Sequence, residues 1–522
     1  LKKGHLVLTN ELEEFEQKIC QYTKSKYCLG LNSGTDALMM SLWALGIGKG
    51  DEVITSPTSF IATVGAITHV GAKPVFVDVK EDFNIDEDKI VTKINKRTKA
   101  IMPVHWTGRV CNMDKIKTIA KKYNLKIIED AAQGMGSYYN KNHAGSYSDV
   151  AAFSTHPLKN LNALGDGGFI TTNSKKIFDK IKLFRNHGMK KRDYVDSYGV
   201  NSRLDVINAE VLKIRLKKLK SINDQRRLNA DIYRKNLNNK FIKIPEDKKN
   251  EINSYVMLLS QAEKRDNLQK YLSLNKIQSL VYYGTPLHLH KATKILGYKK
   301  GSLPIAEKLA KKVLALPHHQ NLSKNQILYV CKKIEYLSKE NIILNILSTI
   351  LFNFHTGIFY KILRTNLGII YNVGMSYNID IMNARSSYYY IYTQCEAKNY
   401  PILINEIIKI LKTYKITNQD VEDAKNTKLF KFENKKFHNL TSFNNDYNTH
   451  FLFNKKILTN KEYYKLFTDI TTNDVKTYFE TFKQDVLNKG ILFYYSKKNL
   501  NSNVDKYFKK SIIKNKYKIL YI

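Results

Sequence analysis

Four short runs do most to limit what this chain can fold into. Residues 52–55, 74–78, 100–104 and 126–130 are apolar along their length, most with a polar residue at the C-terminal end, and helical stretches such as 113–123 lie between them. A run without polar alternation is buried on both faces, which is how parallel strands read when helices cover the sheet. From about residue 10 to residue 240 the pattern is therefore that of an α/β domain, whose ligands sit beyond the C-terminal ends of the strands. Residues 241–338 read as a smaller α+β lobe, with a strand over 255–259 and a helix over 304–314. Beyond Ser338 the chain is richer in Asn, Tyr and Phe, and Pro401 is its one proline. Residues 340–522 are accordingly expected to form a separate domain, and no internal repeat links the parts.

Composition narrows the function classes. The 522 residues carry 85 Lys+Arg against 47 Asp+Glu, a formal net charge of +38. The lysines are scattered, with no compact basic block interleaved with aromatics, so a solvated basic surface is expected rather than nucleic-acid binding. Such a surface suits an anionic small substrate. The longest aliphatic stretch, 342–352, is interrupted by Asn345 and Ser348 and falls short of the roughly 20 apolar residues a membrane span needs. Five cysteines without a CxxC pair argue against a disulfide framework and a zinc site, and point to a reducing, cytoplasmic setting. The first residue is Leu1, not Met, and the expectation is a truncated or processed start.

Three local patterns carry chemistry. Ser33-Gly34-Thr35 leads into an apolar helix, where backbone N–H groups and the helix dipole favour a phosphate; an ordinary N-cap is the commoner reading of such a turn. Asp130 ends a buried strand, where a carboxylate can keep the ring nitrogen of a pyridine cofactor protonated; the alternative is a helix-capping Asp. Lys159 lies between apolar residues and the Gly-rich turn at Gly165-Asp166-Gly167-Gly168. Burial there lowers an amine's pKa and frees its lone pair for a Schiff base; the alternative is one surface lysine among many.

Taken together and in order, these blocks resemble the DegT/DnrJ/EryC1/StrS family of pyridoxal-phosphate (PLP) sugar aminotransferases. The carrying motifs are Ser33-Gly34-Thr35-Asp36-Ala37-Leu38, Ser56-Pro57-Thr58-Ser59-Phe60-Ile61-Ala62-Thr63, Glu129-Asp130-Ala131-Ala132-Gln133 and His156-Pro157-Leu158-Lys159. Asn201-Ser202-Arg203-Leu204-Asp205, Thr285-Pro286-Leu287-His288 and Leu314-Ala315-Leu316-Pro317 agree. The resemblance covers roughly residues 5–338. It implies a fold type I PLP-dependent aminotransferase, with a large PLP-binding α/β domain over 1–240 and a small α+β lobe over 241–338.

By position, the resemblance implies that Lys159 holds the cofactor as a Schiff base and shuttles protons once released. Asp130 would pair with the pyridine nitrogen and Gln133 with the ring hydroxyl. Gly34, Thr35 and Ser154 would cup the phosphate, Asn201 would reach over from the second subunit of a homodimer, and Phe60 would stack on the ring. The implied substrates are an amino-acid donor, glutamate, and a nucleotide-linked ketosugar. Relatives that dehydrate carry His where Lys159 stands, so Lys favours amino transfer over the dehydratase alternative. The turn 160–168 is similar to variants acting at C3 of the sugar. Arg185, His187 and His105 read either as pocket-bordering or as structural, and His318-His319 as a solvent-exposed pair.

The segment 359–373, with Leu363-Arg364 and Leu367-Gly368-Ile369-Ile370-Tyr371-Asn372-Val373, resembles the non-catalytic C-terminal half of M16 (pitrilysin and processing-peptidase) metallopeptidases. Supporting stretches are 401–414, 416–421, 470–475 and 490–495. The His-x-x-Glu-His zinc motif occurs nowhere in the chain. The resemblance therefore implies an α+β domain without hydrolytic activity over 340–522, in which Arg364 and Tyr371 serve packing or peptide binding. The rival reading of the whole chain is a pseudo-enzyme that binds peptides through this domain, against which Lys159, Asp130 and Gln133 are all intact.

Overall fold

A computed structural model describes residues 7–237, 242–263, 265–378, 388–433, 467–489, 493–494 and 520–521. The chain divides into two compact units, Leu1–Ile334 and Glu335–Ile522.

The first unit is built on a seven-stranded sheet. Its strands are β1 (Tyr27–Leu31), β2 (Glu52–Thr55), β3 (Lys73–Phe76), β4 (Thr98–Met102), β5 (Lys126–Asp130), β6 (Val150–Ser154) and β7 (Gly168–Thr172). The spatial order is β1-β7-β6-β5-β4-β2-β3. Strands β2 to β6 pair parallel to one another, and β7 alone runs against its two neighbours. Successive residues of the central strands feed opposite faces. Val53, Ala100 and Ile128 pack with Ala37, Leu38, Met40 and Leu42 of α2 (Gly34–Ala44), following α1 (Asn10–Thr23). Ile54, Ile101 and Ile127 face the other way, onto Met113, Ile116 and Ala120. That double burial is why these strands carry no polar alternation.

The helices follow their sequence signals. Between α3 (Ile61–His69) and α5 (Lys175–Phe184) lies α4 (Met113–Lys122), whose Asn112 N-cap Oδ1 accepts from Lys115 N–H at 3.3 Å. Its lysines take the outer face. The 31-residue α6 (Val206–Asn236) leads to the small lobe. There β8 (Ile242–Lys243), β9 (Leu258–Ala262) and β10 (Val313–Leu316) form an antiparallel sheet with α7 (Arg265–Leu274) and α8 (Pro304–Lys312). Asp78, just past β3, accepts Ile305 N–H at 3.1 Å and Ala306 N–H at 2.9 Å, so a large-domain carboxylate caps the first turn of α8.

Several expected elements shift: the helix read at 304–314 ends at Lys312, where β10 takes over, and the strand read at 100–104 ends at Met102. The strand read at 255–259 starts at Leu258, because Tyr255 takes a left-handed φ of 48° and its hydroxyl bonds to Asp247. The strand read at 74–78 ends at Phe76, which frees Asp78 for its capping role.

The second unit has its own core. Ile343, Leu347 and Leu351 of helix Lys324–Phe352 gather with Leu403, Leu411, Phe479 and Phe482, and Phe352 stacks on Phe359 at 4.7 Å. Strands Asn372–Asn378 and Tyr388–Gln394 pair antiparallel. Arg364 lies over the Tyr371 ring at 5.7 Å and donates to the Ile370 carbonyl at 2.8 Å, which is a packing role. Of the stretch 490–495, Gly490, Ile491, Leu492 and Tyr495 lie outside the described residues. No helix among the described residues is long and apolar enough to cross a membrane.

Candidate active site

The C-terminal edge of the sheet collects most of the expected residues. At the start of α2, Ser33 Oγ accepts from Asp36 N–H at 3.1 Å and closes the N-cap. Among the described residues the N–H groups of Gly34 and Thr35 find no protein acceptor. Gly34 is required by a close approach: a Cβ there would lie 2.7 Å from Ser154 Cβ at the end of β6. Ser154 Oγ accepts from His156 N–H at 3.3 Å, leaving its own proton to donate. Two free backbone donors, a hydroxyl and a helix dipole at one point make an anion cup. Gly34→Ala is expected to push Ser154 out of that cup and weaken cofactor affinity about tenfold, the cost of roughly one hydrogen bond to a charged group, as read by fluorescence titration.

Asp130 closes β5 and is buried. Thr63 Oγ1 donates to its Oδ2 at 2.7 Å, and Ala132 N–H to its Oδ1 at 3.2 Å. Burial pushes its pKa above the ordinary carboxylate range; the Thr63 and Ala132 bonds and the charge of Lys159 offset this in part. Lys159 is half-buried in the turn after β6, and desolvation draws its amine below the ordinary lysine range against the pull of Asp130. The two do not make an ion pair, and Nζ has no hydrogen-bond partner among the described residues. A free, partly desolvated amine is the nucleophilic form of lysine.

Gln133 is oriented by the backbone. Thr107 N–H donates to its Oε1 at 3.0 Å, and since a backbone N–H can only donate, the amide nitrogen is the end left to bond elsewhere. Thr107 and Gly108 both have positive φ, 58° and 97°, and that tight turn presents the donor.

Phe60, the residue before α3, keeps 56% of its surface exposed, with its ring edge-on to Tyr283 at 6.3 Å. Asn201 stands apart: it is exposed, bridged to Asn186, and no contact among the described residues joins it to the other site residues.

Sequence reasoning missed Thr63, Thr107 and Tyr283. Thr63 lies one helical turn beyond Ser59, whose hydroxyl it meets at 2.6 Å, so i,i+4 spacing within the Ser56–Thr63 motif was the available signal. Tyr283 has a left-handed φ of 57° and packs at 4.6 Å on Trp106; no pattern announces it. Its hydroxyl has no partner among the described residues, and burial, with the Asp130 charge second, raises its pKa to about 12.

Other candidates prove structural. Arg185 donates to Glu16 at 2.5 Å and to the Gly30 carbonyl at 3.0 Å. His105 lies behind the site: its Nδ1 accepts from Cys111 N–H at 3.3 Å, so Nε2 carries the proton and donates to Glu129 at 2.7 Å. Glu129 also takes Gly145 N–H, Tyr147 N–H and Ser148 Oγ. Burial works to raise its pKa, and these donors, His105 first, hold it below the ordinary range. His318 corrects an expectation: it is half-buried, donates to the Arg226 carbonyl at 2.9 Å, and burial lowers its pKa to about 3.

A buried acid, a free amine, an oriented amide and an anion cup at one sheet edge form a donor set that fits pyridoxal phosphate. Comparison with known proteins agrees. The model of the DegT/DnrJ/EryC1/StrS aminotransferase family matches residues 1–335. The chain belongs to this family. Its cofactor is pyridoxal phosphate. It is 40% identical over 328 residues to a dTDP-3-amino-3,6-dideoxy-alpha-D-galactopyranose transaminase of Aneurinibacillus thermoaerophilus, covering 63% of this chain and 90% of that one. The crystal structure of DesV from S. venezuelae aligns with a TM-score of 0.63 at 36% identity, covering 65% of this chain and 91% of that one. NtdA from Bacillus subtilis, solved with bound PMP, aligns at 0.59 with 32% identity, over 63% and 79%. These similarities lie in the first unit of this aminotransferase.

Proposed function

We propose that this aminotransferase moves an amino group from an amino acid, glutamate, to the keto carbon of a nucleotide-linked sugar. The observation that carries the reading is the pairing of a free, desolvated Lys159 amine with a buried Asp130 carboxylate at the sheet edge. The cofactor supplies the electron sink and carries the amine between the two half-reactions.

The protein's own groups do the rest. Asp130 Oδ holds a proton on the ring nitrogen, and burial makes that charge pair strong because water is excluded from it. Gln133 presents its amide N–H to the ring hydroxyl. The Gly34 and Thr35 N–H groups and the Ser154 hydroxyl hold the phosphate, and Phe60 covers the ring. Lys159 Nζ takes the proton from the substrate carbon and returns it, and burial, which draws its pKa below the ordinary lysine range, favours the uncharged form this needs.

The domain reading stays with residues 1–240 as the cofactor domain and 241–338 as its small lobe. The exposure of Asn201 supports a homodimer in which it completes the partner's phosphate cup. The 3-amino sugar for which the Aneurinibacillus relative is named supports amination at C3. The five cysteines, none of them in a disulfide among the described residues, support a cytoplasmic location. For residues 340–522 the proposal is a non-catalytic M16-like domain, supported by the 359–373 sequence block and by the packing of Arg364 on Tyr371.

The test is a coupled assay with glutamate and 3-keto or 4-keto nucleotide sugars, followed by mass spectrometry of the product. An aminated sugar with stoichiometric 2-oxoglutarate is expected. Binding of pyridoxal phosphate without amination of any ketosugar would refute the substrate class, and sedimentation as a fully active monomer would refute the shared site.

A further inference from the structure

Behind Lys159 and Gln133 lies a buried polar ring that the reaction scheme does not use. Leu158 is 69% exposed, Lys159 is half-buried, and Asn160 is buried: the turn points one side chain inward as an anchor. Asn160 Nδ2 donates to Asn223 Oδ1 on α6 at 2.7 Å and to the Ser254 carbonyl at 2.7 Å. A carbonyl can only accept, so the amide orientation of Asn160 is fixed. From Asn223, Nδ2 continues to the Met135 carbonyl at 3.2 Å. From Ser254, Oγ continues to the Gln133 carbonyl at 2.9 Å. Ser254 N–H is held by Ser137 Oγ at 3.1 Å, and Ser137 Oγ donates to the Gly108 carbonyl at 2.6 Å. Gly108 cannot be another residue, since a Cβ there would sit 2.1 Å from Ser254 Oγ.

The ring therefore leaves the turn bearing Lys159, crosses Ser254 and Asn223, and returns to the segment bearing Gln133. All four linking side chains are buried, so each lost partner strands a polar group without water to replace it. Such a network fixes position more sharply than apolar packing, because its bonds are directional.

We propose that Asn160 is a positioning residue, which through Ser254 and Asn223 sets the place of the Lys159 amine relative to Gln133 and Asp130. It touches neither cofactor nor substrate. The inference rests on the reading of Lys159 given above. Loss of the anchor lets the turn lift toward solvent, and Lys159 regains hydration. Its pKa, now lowered by burial, then rises toward the ordinary lysine value.

The test begins with cofactor-free protein. The rate of acylation of Lys159 by an amine-selective reagent is followed against pH by peptide mass spectrometry, in the wild type, in Asn160→Leu and in Asn223→Ala. The leucine is neutral and similar in size, so no new charge disturbs the amine. The midpoint is expected to rise by about one pH unit in Asn160→Leu and by less in Asn223→Ala. In the cofactor-loaded enzyme kcat is expected to fall on the order of 10²-fold with an unchanged KM for the sugar, as a displaced catalytic group requires. Where Asn160→Leu fails to fold, Asn223→Ala decides. Wild-type midpoints and kcat in a folded variant, with or without a lowered Tm, overturn the proposal. A wild type that takes up no pyridoxal phosphate would instead refute the function, since the acylation profile is read without cofactor.

Discussion

Lys159→Ala is expected to lower the rate of amino transfer by at least about 10³-fold, because in the proposed scheme one side chain supplies both the nucleophile and the proton carrier. The visible absorbance of lysine-bound cofactor should disappear with it. Stability should hardly change, by less than about 1 kcal/mol: the amine makes no hydrogen bond among the described residues, and burial already disfavours its charge. A small primary amine added to the variant should restore part of the proton transfer. Circular dichroism and melting separate this result from unfolding, and retention of more than about a tenth of the wild-type rate would remove Lys159 from the centre of the scheme.

Asp130→Asn has the second largest expected effect, and its two halves have opposite signs. The amide keeps the shape, its oxygen accepting from Ala132 N–H and its NH2 donating to a Thr63 hydroxyl turned toward Ser59, but it cannot hold a proton on the ring nitrogen. Losing the buried carboxylate that would keep the ring nitrogen protonated weakens the electron sink and costs on the order of 10²–10³-fold in kcat. The cofactor-free protein should gain stability. The folded-state pKa of Asp130 lies above the ordinary carboxylate value, so folding disfavours its ionised form. That cost is absent below the ordinary carboxylate range and complete once the pH exceeds the raised folded pKa. At neutral pH the Asn variant escapes it, and its Tm without cofactor should exceed that of the wild type. A variant that is both less stable and fully active would contradict the account.

Glu129, the neighbouring residue, shows the reverse linkage. Its donors hold the folded pKa below the ordinary range, so its contribution is present at neutral pH and is lost only as the pH falls through that lowered value. Adjacent carboxylates on one strand thus divide the work: Glu129 braces the sheet edge through His105, and Asp130 is left for the role proposed at the ring nitrogen.

The sequence shows clearly what depends on continuous burial. The strands at 52–55 and 126–130 were legible because all their residues but Lys126 are buried, Asp130 because it is a polar group at the end of such a strand, and Lys159 because apolar residues and a Gly-rich turn flank it. Gly34 was legible as part of a helix start; its second role, admitting Ser154, depends on β6 arriving beside it, which no local pattern encodes. Thr107, Ser254 and Tyr283 were illegible for a related reason. Thr107 and Tyr283 have a left-handed backbone that propensity does not announce, and Ser254 acts through partners 94 or more residues away. His318 read as exposed because it follows a proline and has no third metal ligand near it in the sequence, yet α6 supplies the Arg226 carbonyl that accepts its N–H. Tertiary contact overrode local composition in each case.

The most direct test of the central claim is borohydride reduction of the protein incubated with pyridoxal phosphate, followed by peptide mapping. The account predicts one reduced cofactor per chain, attached to Lys159, and none after prior exposure to excess glutamate, which takes the cofactor off the lysine. Label on another lysine, or on none, would contradict it.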